Sequence, residues 1–222
     1  MPRSSPISAR RSSLCLGRPP LPRCASGHAL VRRVEMLQEM TQQEVNRQQS
    51  GITSPAVLAS IEATLAFVRA EIAQLQRRIQ EQVERSAELS NQQRLLCSIP
   101  GVGRWTAARV LAEIDAVCGA VDARQLAAYA GLTPRERTSG SSVHRPARLS
   151  KTGNSRLRRA LSLPASVAMR YNPAVRALAE RLRARGKPPM VIVGAAMRKL
   201  LHLIYGVLKS GKPFDPALAL AA

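Results

Sequence analysis

The chain has 222 residues, 45% of them hydrophobic, which is enough to bury the core of one ordinary domain or two small ones. Its 34 Lys and Arg against 14 Asp and Glu give a formal net charge of +20, which favours a polyanionic partner, most simply nucleic acid. Aromatic residues make up only 3%. That fraction is too small for a base-stacking single-strand binder or a large β-sandwich.

The positive charge is concentrated toward the C-terminus. Residues 1–33 contain seven Arg and no acid, whereas residues 34–136 carry a net charge of −2. Residues 137–222 contain seventeen basic residues against Glu180 and Asp215, a net charge of +15. The C-terminal part is therefore predicted to contact the polyanion.

The acidic residues and cysteines exclude several kinds of metal site. Asp occurs only three times, and no carboxylates show the spacing that two-metal nuclease chemistry needs. No Cys pair has CxxC spacing and the three His are isolated, so a zinc site is not expected. We expect no metal or other cofactor bound by this chain, and scattered cysteines indicate a reducing compartment. The cysteines are Cys15, Cys24, Cys97 and Cys118, and the histidines are His28, His144 and His202.

The first predicted segment, residues 1–28, is rich in Arg, Ser and Pro and contains no acid. Such a composition cannot bury enough apolar surface to fold, so a disordered tail is expected. A transit peptide or a translated upstream stretch would have the same composition.

Residues 29–94 are predicted to form a helical hairpin or coiled coil. A first helix is expected over 29–48, and Ser54-Pro55 is a typical start for the second. Seven apolar residues then recur at alternating spacings of three and four, which is a heptad seam. The seam could pair with a second copy or pack within the chain. Its members are Leu58, Ile61, Leu65, Val68, Ile72, Leu75 and Ile79.

Residues 95–216 are predicted to form a helical bundle, followed by a short tail at 217–222. At its start, Pro100-Gly-Val-Gly103 separates two helices, which is the pattern of a helix-hairpin-helix. Backbone N–H groups at the start of the second helix would bind a phosphate, and Gly103 is expected to need a glycine conformation. A plain helix–helix turn is the alternative.

Further helices are expected over 122–132, from Asn154, over 173–185 and over 189–209, with a polar stretch from Arg135 to Gly153. The predicted fold class is therefore all-α. The apolar run Met190–Met197 is too short to span a bilayer, so a buried helix without membrane contact is expected.

Ser139 lies in the polar stretch beside Gly140, among several Arg residues. A serine attacks phosphorus when positive groups stabilise the developing charge and a base takes its proton. Glu136 and His144 are the candidate bases nearby. By itself, a Ser-Gly step is more often only a turn.

Several blocks in fixed order resemble one family. They are Ser98-Ile-Pro-Gly-Val-Gly, Gln125-Leu-Ala-Ala-Tyr-Ala-Gly-Leu-Thr-Pro, Ser139-Gly-Ser-Ser-Val, Leu149-Ser-Lys-Thr-Gly-Asn-Ser-Arg-Leu-Arg-Arg-Ala-Leu, Arg183-Ala-Arg-Gly-Lys-Pro and Gly206-Val-Leu-Lys-Ser-Gly-Lys-Pro-Phe-Asp. Over residues 29–216 the chain resembles the insertion-sequence 110/116/902 transposases, which include the pilin gene-inverting recombinases.

The resemblance implies the C-terminal half of such an enzyme, with Ser139 as the nucleophile that joins covalently to cleaved DNA. Family members also carry an N-terminal RuvC-like domain whose carboxylates bind metal, and some use a guide RNA. That domain has no counterpart here, so a truncated copy is expected, inactive alone, with Mg²⁺ required only together with the missing domain.

The expected partner is double-stranded DNA, with a guide RNA and a homo-oligomer formed through the coiled coil as further expectations. The chain would act in the bacterial cytoplasm, associated with the nucleoid. Two other functions stay open: a non-catalytic DNA-binding dimer that modulates a full-length transposase, and a structured-RNA-binding protein. The predicted nucleic-acid contacts are Gly101, Val102, Gly103, Arg104, Thr106, Arg145, Arg148, Lys151, Asn154, Arg156 and Arg158.

Overall fold

The computed structural model describes residues 22–115, 122–139 and 143–221. Most of the predicted tail lies outside the described residues, as do Cys15, Cys118, Ser141 and Ser142. Within the described ranges the chain is all-α with one added β-hairpin, which confirms the predicted fold class.

The helices and strands follow one another along the chain as follows: α1 Pro22–Gln48, α2 Pro55–Glu84, α3 Ala87–Cys97, α4 Arg104–Asp115, α5 Ala123–Tyr129, β1 Pro134–Ser139, β2 Val143–Leu149, α6 Ser155–Tyr171, α7 Pro173–Ala184, α8 Pro189–Ser210 and α9 Pro216–Ala221.

Helices α1 and α2 form an antiparallel helical hairpin, as predicted. The heptad seam of α2 packs within the chain, where Val68 and Ile79 lie in one buried apolar cluster with Val31 and Val34 of α1. The buried seam therefore matches the intramolecular alternative. Helix α1 begins at Pro22, earlier than the predicted residue 29, because Pro is well tolerated in the first turn of a helix.

The helical hairpin is attached to the following helices by charge as well as by apolar packing. Glu35 of α1 accepts hydrogen bonds from Arg109 of α4 at 2.6 and 2.9 Å, and Glu39 pairs with Arg159 of α6. Helix α3 includes residues 94 and 95, so the boundary between the predicted regions 29–94 and 95–216 would lie inside a helix.

Helix α8 lies at the centre of the bundle. It contacts α3, α5, α6 and α7, and Leu200, Leu201 and Ile204 are fully buried. By length and composition alone α8 is apolar enough to cross a membrane. With 22 residues, α8 is longer than the apolar run Met190–Met197 from which a buried helix was predicted. Its burial explains its apolar character equally well, since the core helix of a bundle also needs such a surface.

Most helix starts predicted from Pro and Asn are confirmed. Helix α2 begins at Pro55. Asn154 and Asn172 cap α6 and α7, each accepting hydrogen bonds from two backbone N–H groups. An Asn side chain satisfies donors that have no partner inside the helix.

The polar stretch was predicted without regular structure, and here the structure differs. Residues Pro134–Ser139 and Val143–Leu149 form an antiparallel β-hairpin. Its composition gives little strand signal because apolar and polar residues do not alternate. Packing at its base holds it in place, where Leu149 contacts Gly194 of α8.

Candidate nucleic-acid interface

The β-hairpin places the candidate nucleophile at a defined position in the backbone. Ser139 is the last residue of β1, and its Cα partner is Val143, the first residue of β2. Thr138 and His144 are the next pair along the ladder. Ser139 therefore sits at the end of the strand pair farthest from the bundle-packed base at Leu149.

Basic residues face each other across this hairpin in the backbone register. Arg135 pairs with Arg148 and Arg137 pairs with Arg145, with an irregularity between the two pairs. Like charges at directly opposite positions destabilise a strand pair, and an isolated two-stranded hairpin is marginal in water. The backbone register thus places two pairs of Arg positions opposite each other along the hairpin.

The α3–α4 turn contains two glycines with different roles. Gly101 has φ +102°, and a Cβ there would lie 2.9 Å from the backbone N of Ala168 in α6. Gly103 has no positive φ, and a Cβ there would meet nothing within 4 Å. The prediction that Gly103 needs a glycine conformation is therefore wrong; Gly101 has that requirement, because α6 packs against it.

The residues of this turn also differ in their exposure to solvent. Val102 is buried in the core, whereas Gly103 and Arg104 are exposed and Thr106 is half-buried. Gly103 precedes the first residue of α4, and its carbonyl accepts the first helical hydrogen bond from Ala107. Of the predicted contacts in this turn, Gly103 and Arg104 are the ones open to a ligand.

We expect Gly101→Ala to destabilise the fold by about 2–4 kcal/mol, since it combines backbone strain with a clash against α6. Gly103→Ala should cost less than about 1 kcal/mol, as it only weakens a helix cap. Chemical denaturation of the two variants measures both values. Equal free energies of unfolding would contradict the assigned difference between the glycines.

The side chain of Asn154 forms hydrogen bonds inside the protein. Besides capping α6, its amide donates hydrogen bonds to Oε2 of Glu113 at 2.6 Å and to the hydroxyl of Tyr129 at 2.9 Å. Glu113 is only 4% exposed. Asn154 therefore satisfies a buried carboxylate, a role that sequence reasoning missed. The signal was Glu113 itself, an acid that directly follows the apolar run Val110-Leu111-Ala112 of α4.

The remaining predicted cations are not equally available. The guanidinium of Arg158 donates a hydrogen bond to the carbonyl of Ala130 at 2.9 Å and is half-buried. Arg156 has a side chain that is 47% exposed and lies 3.8 Å from Glu35, and Lys151 is exposed with φ +54°. Arg158 therefore has a structural role, while Lys151 and the outer part of Arg156 can reach a ligand.

Two other reactive side chains are unsuited to catalysis. Burial raises the pKa of the Cys97 thiol, outweighing the opposite effect of Arg104, so the thiol stays protonated near neutral pH. Burial, with Arg198 and Lys199 nearby, lowers the pKa of His202. His202 is therefore neutral at pH 7 and adds no charge to the basic surface.

A divalent metal would need several convergent carboxylates or imidazoles. Among the residues that the structure describes, no three His, Cys, Asp or Glu side chains come together. The buried carboxylate of Glu113 is already paired with Asn154. These side chains do not fit a Mg²⁺ site.

Residues 93–180 match the family described as Transposase IS116/IS110/IS902. A pilin gene-inverting protein of Moraxella bovis is 37% identical over 146 residues, which are 65% of this chain and 45% of that protein. An uncharacterized 43.6 kDa protein of insertion element IS110 from Streptomyces coelicolor is 31% identical over 163 residues, covering 73% and 39%.

An uncharacterized 42 kDa protein of insertion element IS900 from Mycobacterium paratuberculosis is 30% identical over 188 residues, covering 81% of this chain and 45% of that protein. The chain thus spans less than half the length of these curated relatives. The matched region contains the α3–α4 turn, the β-hairpin and α6. Residues 93–180 therefore belong to the IS116/IS110/IS902 transposase family.

Proposed function

We propose that the chain is the nucleic-acid-handling, serine-bearing part of an insertion-sequence transposase or recombinase that acts on duplex DNA. One observation carries the proposal: the family match over residues 93–180 includes the β-hairpin in which Ser139 ends β1 beside opposed Arg positions. We propose two sequence modules, the helical hairpin over residues 29–94 and the transposase region over residues 95–216.

The proposed chemistry is attack of the Ser139 hydroxyl on a DNA phosphodiester. A bond forms between the serine oxygen and phosphorus, and the bond from phosphorus to one deoxyribose oxygen breaks. The serine proton passes to a base, and the released deoxyribose oxygen takes up a proton. Negative charge grows on the phosphoryl oxygens, so the Arg residues of the hairpin would stabilise the transition state.

The opposed Arg positions support a polyanion as ligand. A two-stranded β-ribbon is narrow enough to enter the major groove of B-DNA, where phosphates would neutralise Arg135, Arg137, Arg145 and Arg148. Lys151, Arg156 and the exposed start of α4, with Gly103 and Arg104, would extend the contact. Gly101, Val102, Asn154 and Arg158 support this surface from within.

The described residues do not fit a metal site, and the chain covers under half of its relatives. Carboxylates beyond the described residues would hold Mg²⁺ and supply its stabilisation of phosphoryl charge. A guide RNA would belong to that complete assembly, at the bacterial nucleoid.

Self-association is also proposed, though through a different face from the seam. Leu65 and Val68 are buried inside the chain, so the seam could serve a dimer only if the helical hairpin opened. Phe67 is 70% exposed on the outer side of α2. A large exposed aromatic side chain is typical of an interface.

A salt titration of duplex binding tests the proposal. With roughly 5–8 phosphates neutralised, log affinity should fall against log salt with a slope of about −4 to −7. Fluorescence anisotropy with a labelled 30-base-pair duplex, on the order of three helical turns, measures this slope. Affinity that stays constant from low to moderate salt would contradict electrostatic DNA binding.

The same titration with a structured RNA separates the alternative function. An RNA affinity well above the duplex affinity at equal salt would favour the RNA-binding protein over the DNA-acting enzyme. For both ligands, Ser139→Ala is expected to bind with the same affinity as the parent chain, because the nucleophile does not contribute to phosphate neutralisation.

A further inference from the structure

The connection between α7 and α8 carries a dense positive charge that the proposed site does not use. Arg181, Arg183, Arg185 and Lys187 are all exposed. Within the described ranges, none of them lies within 4 Å of an acidic oxygen. The one nearby acid, Glu180, pairs instead with Arg176 at 3.5 Å. Four unpaired cations within seven residues attract a polyanion strongly.

This connection has a fixed backbone. Lys187 N–H donates to the Leu182 carbonyl at 3.1 Å and Gly186 N–H donates to the Arg183 carbonyl at 2.9 Å. Gly186 has φ +64°, so the end of α7 is a Schellman motif. Two prolines follow at 188 and 189. A preorganised turn loses little conformational entropy when it binds.

Apolar side chains are exposed directly beside these cations. Met190 is 78% exposed and Val191 is 47% exposed, whereas Ile192 is buried. Residues 181–191 contain no aromatic side chain, so they offer no platform for stacking single-stranded bases. Exposed methionine among cations is suited to insertion between base steps from the minor groove of a duplex.

The surface adjoins the base of the β-hairpin. Met190 lies one helical turn before Gly194, about 6 Å along the axis of α8. A Cβ at Gly194 would come within 2.7 Å of Cδ1 of Leu149, the last residue of β2. A nucleic acid held by the β-hairpin would therefore pass close to the α7–α8 connection.

We propose that residues 181–191 form a second contact with the same duplex DNA, in which Arg183, Arg185 and Lys187 bind phosphates and Met190 inserts into the minor groove and bends the duplex. This inference rests on the proposed function, since it requires that the chain bind duplex DNA. It adds a bending surface outside the serine-bearing hairpin.

The test of the charge uses two matched triple variants of the full chain. Arg183→Gln/Arg185→Gln/Lys187→Gln removes three charges at the connection. Its control removes three from exposed, unpaired residues of α2, namely Arg69→Gln/Arg77→Gln/Arg78→Gln. The connection variant should lower the magnitude of the salt slope by about 2–3, and the control should leave it within the error of the parent.

The test of the wedge uses the same 30-base-pair duplex with a fluorophore pair at its ends. The parent chain should raise energy transfer between the ends, and Met190→Ala should abolish that rise while its salt slope stays unchanged. Since Met190 is exposed, the variant should keep the helical circular dichroism of the parent. Undiminished bending by Met190→Ala would overturn the inserted wedge.

The outcomes separate this inference from the proposed function. If the parent does not bind duplex DNA, the proposed function fails. If the parent binds and both triple variants reduce the slope equally, only the second contact fails. A loss confined to structured RNA or to anionic phospholipid vesicles in the connection variant would likewise overturn duplex DNA as its ligand.

Discussion

Ser139→Ala is expected to eliminate covalent protein–DNA adducts completely. In the experiment, the chain is mixed with the carboxylate-bearing half of a full-length relative, Mg²⁺ and labelled duplex DNA with its nucleic-acid partners. The parent should then form an adduct that survives denaturing electrophoresis. Alanine has no oxygen to bond to phosphorus, so no surrounding residue can restore the intermediate.

The neighbouring serines provide the control for this loss. Ser141→Ala and Ser142→Ala should retain the adduct, because only Ser139 occupies the Ser-Gly position. The parent chain without the carboxylate-bearing half should give none. An undiminished adduct from Ser139→Ala would mean that another residue is the nucleophile, and efficient cleavage by the isolated chain would show that the metal requirement is misassigned.

Asn154→Ala is expected to destabilise the protein by about 3 kcal/mol, a large share of the stability of a typical domain. The substitution removes the cap of α6, which costs about 1 kcal/mol. It also leaves the Glu113 carboxylate buried without its 2.6 Å partner, which costs about 1.5–3 kcal/mol. Thermal unfolding should shift down by roughly 6–12 °C.

Two controls assign this effect to the buried carboxylate. Asp122→Ala removes the cap of α5, which is exposed to solvent, and should cost only about 1 kcal/mol. In the Glu113→Gln background, Asn154→Ala should cost about 1–2 kcal/mol less than in the parent, since a neutral amide tolerates burial better than a charge. A cost that is the same in both backgrounds would contradict the proposed coupling.

Well below the unfolding temperature, Asn154→Ala should bind duplex DNA with an affinity within about twofold of the parent, since its side chain faces the interior and adds no charge. A loss of affinity without a loss of stability would restore Asn154 to the interface predicted from the sequence.

Local chemistry made the helices predictable. Pro55, Asn154 and Asn172 mark helix starts because each acts through its own backbone neighbourhood. The heptad seam of α2 was also predictable, but a heptad pattern indicates only an apolar stripe and does not identify the surface that packs against it. In the structure, α1 packs against this stripe. Distant contacts decide such a choice, and a single sequence does not reveal them.

The same reason explains what was missed at the site. The β-hairpin has little intrinsic strand preference and depends on the contact between Leu149 and Gly194, which are far apart in sequence. The pattern Gly-Val-Gly predicts a turn, but only the approach of Ala168 shows that Gly101 carries the steric constraint. Asn154 was recognised as a cap, while its bond to Glu113 required the folded arrangement.

The ion pairs of α1 also affect how the molecule would approach a polyanion. Glu35 and Glu39 pair with Arg109 and Arg159 where the helical hairpin docks, so these two cations contribute little positive potential. The exposed cations of the α7–α8 connection have no such compensation. The resulting charge separation gives the molecule an electric dipole moment. A polyelectrolyte's field exerts a torque on such a dipole, so the protein rotates its cationic side inward before contact, and a larger fraction of diffusional collisions become productive.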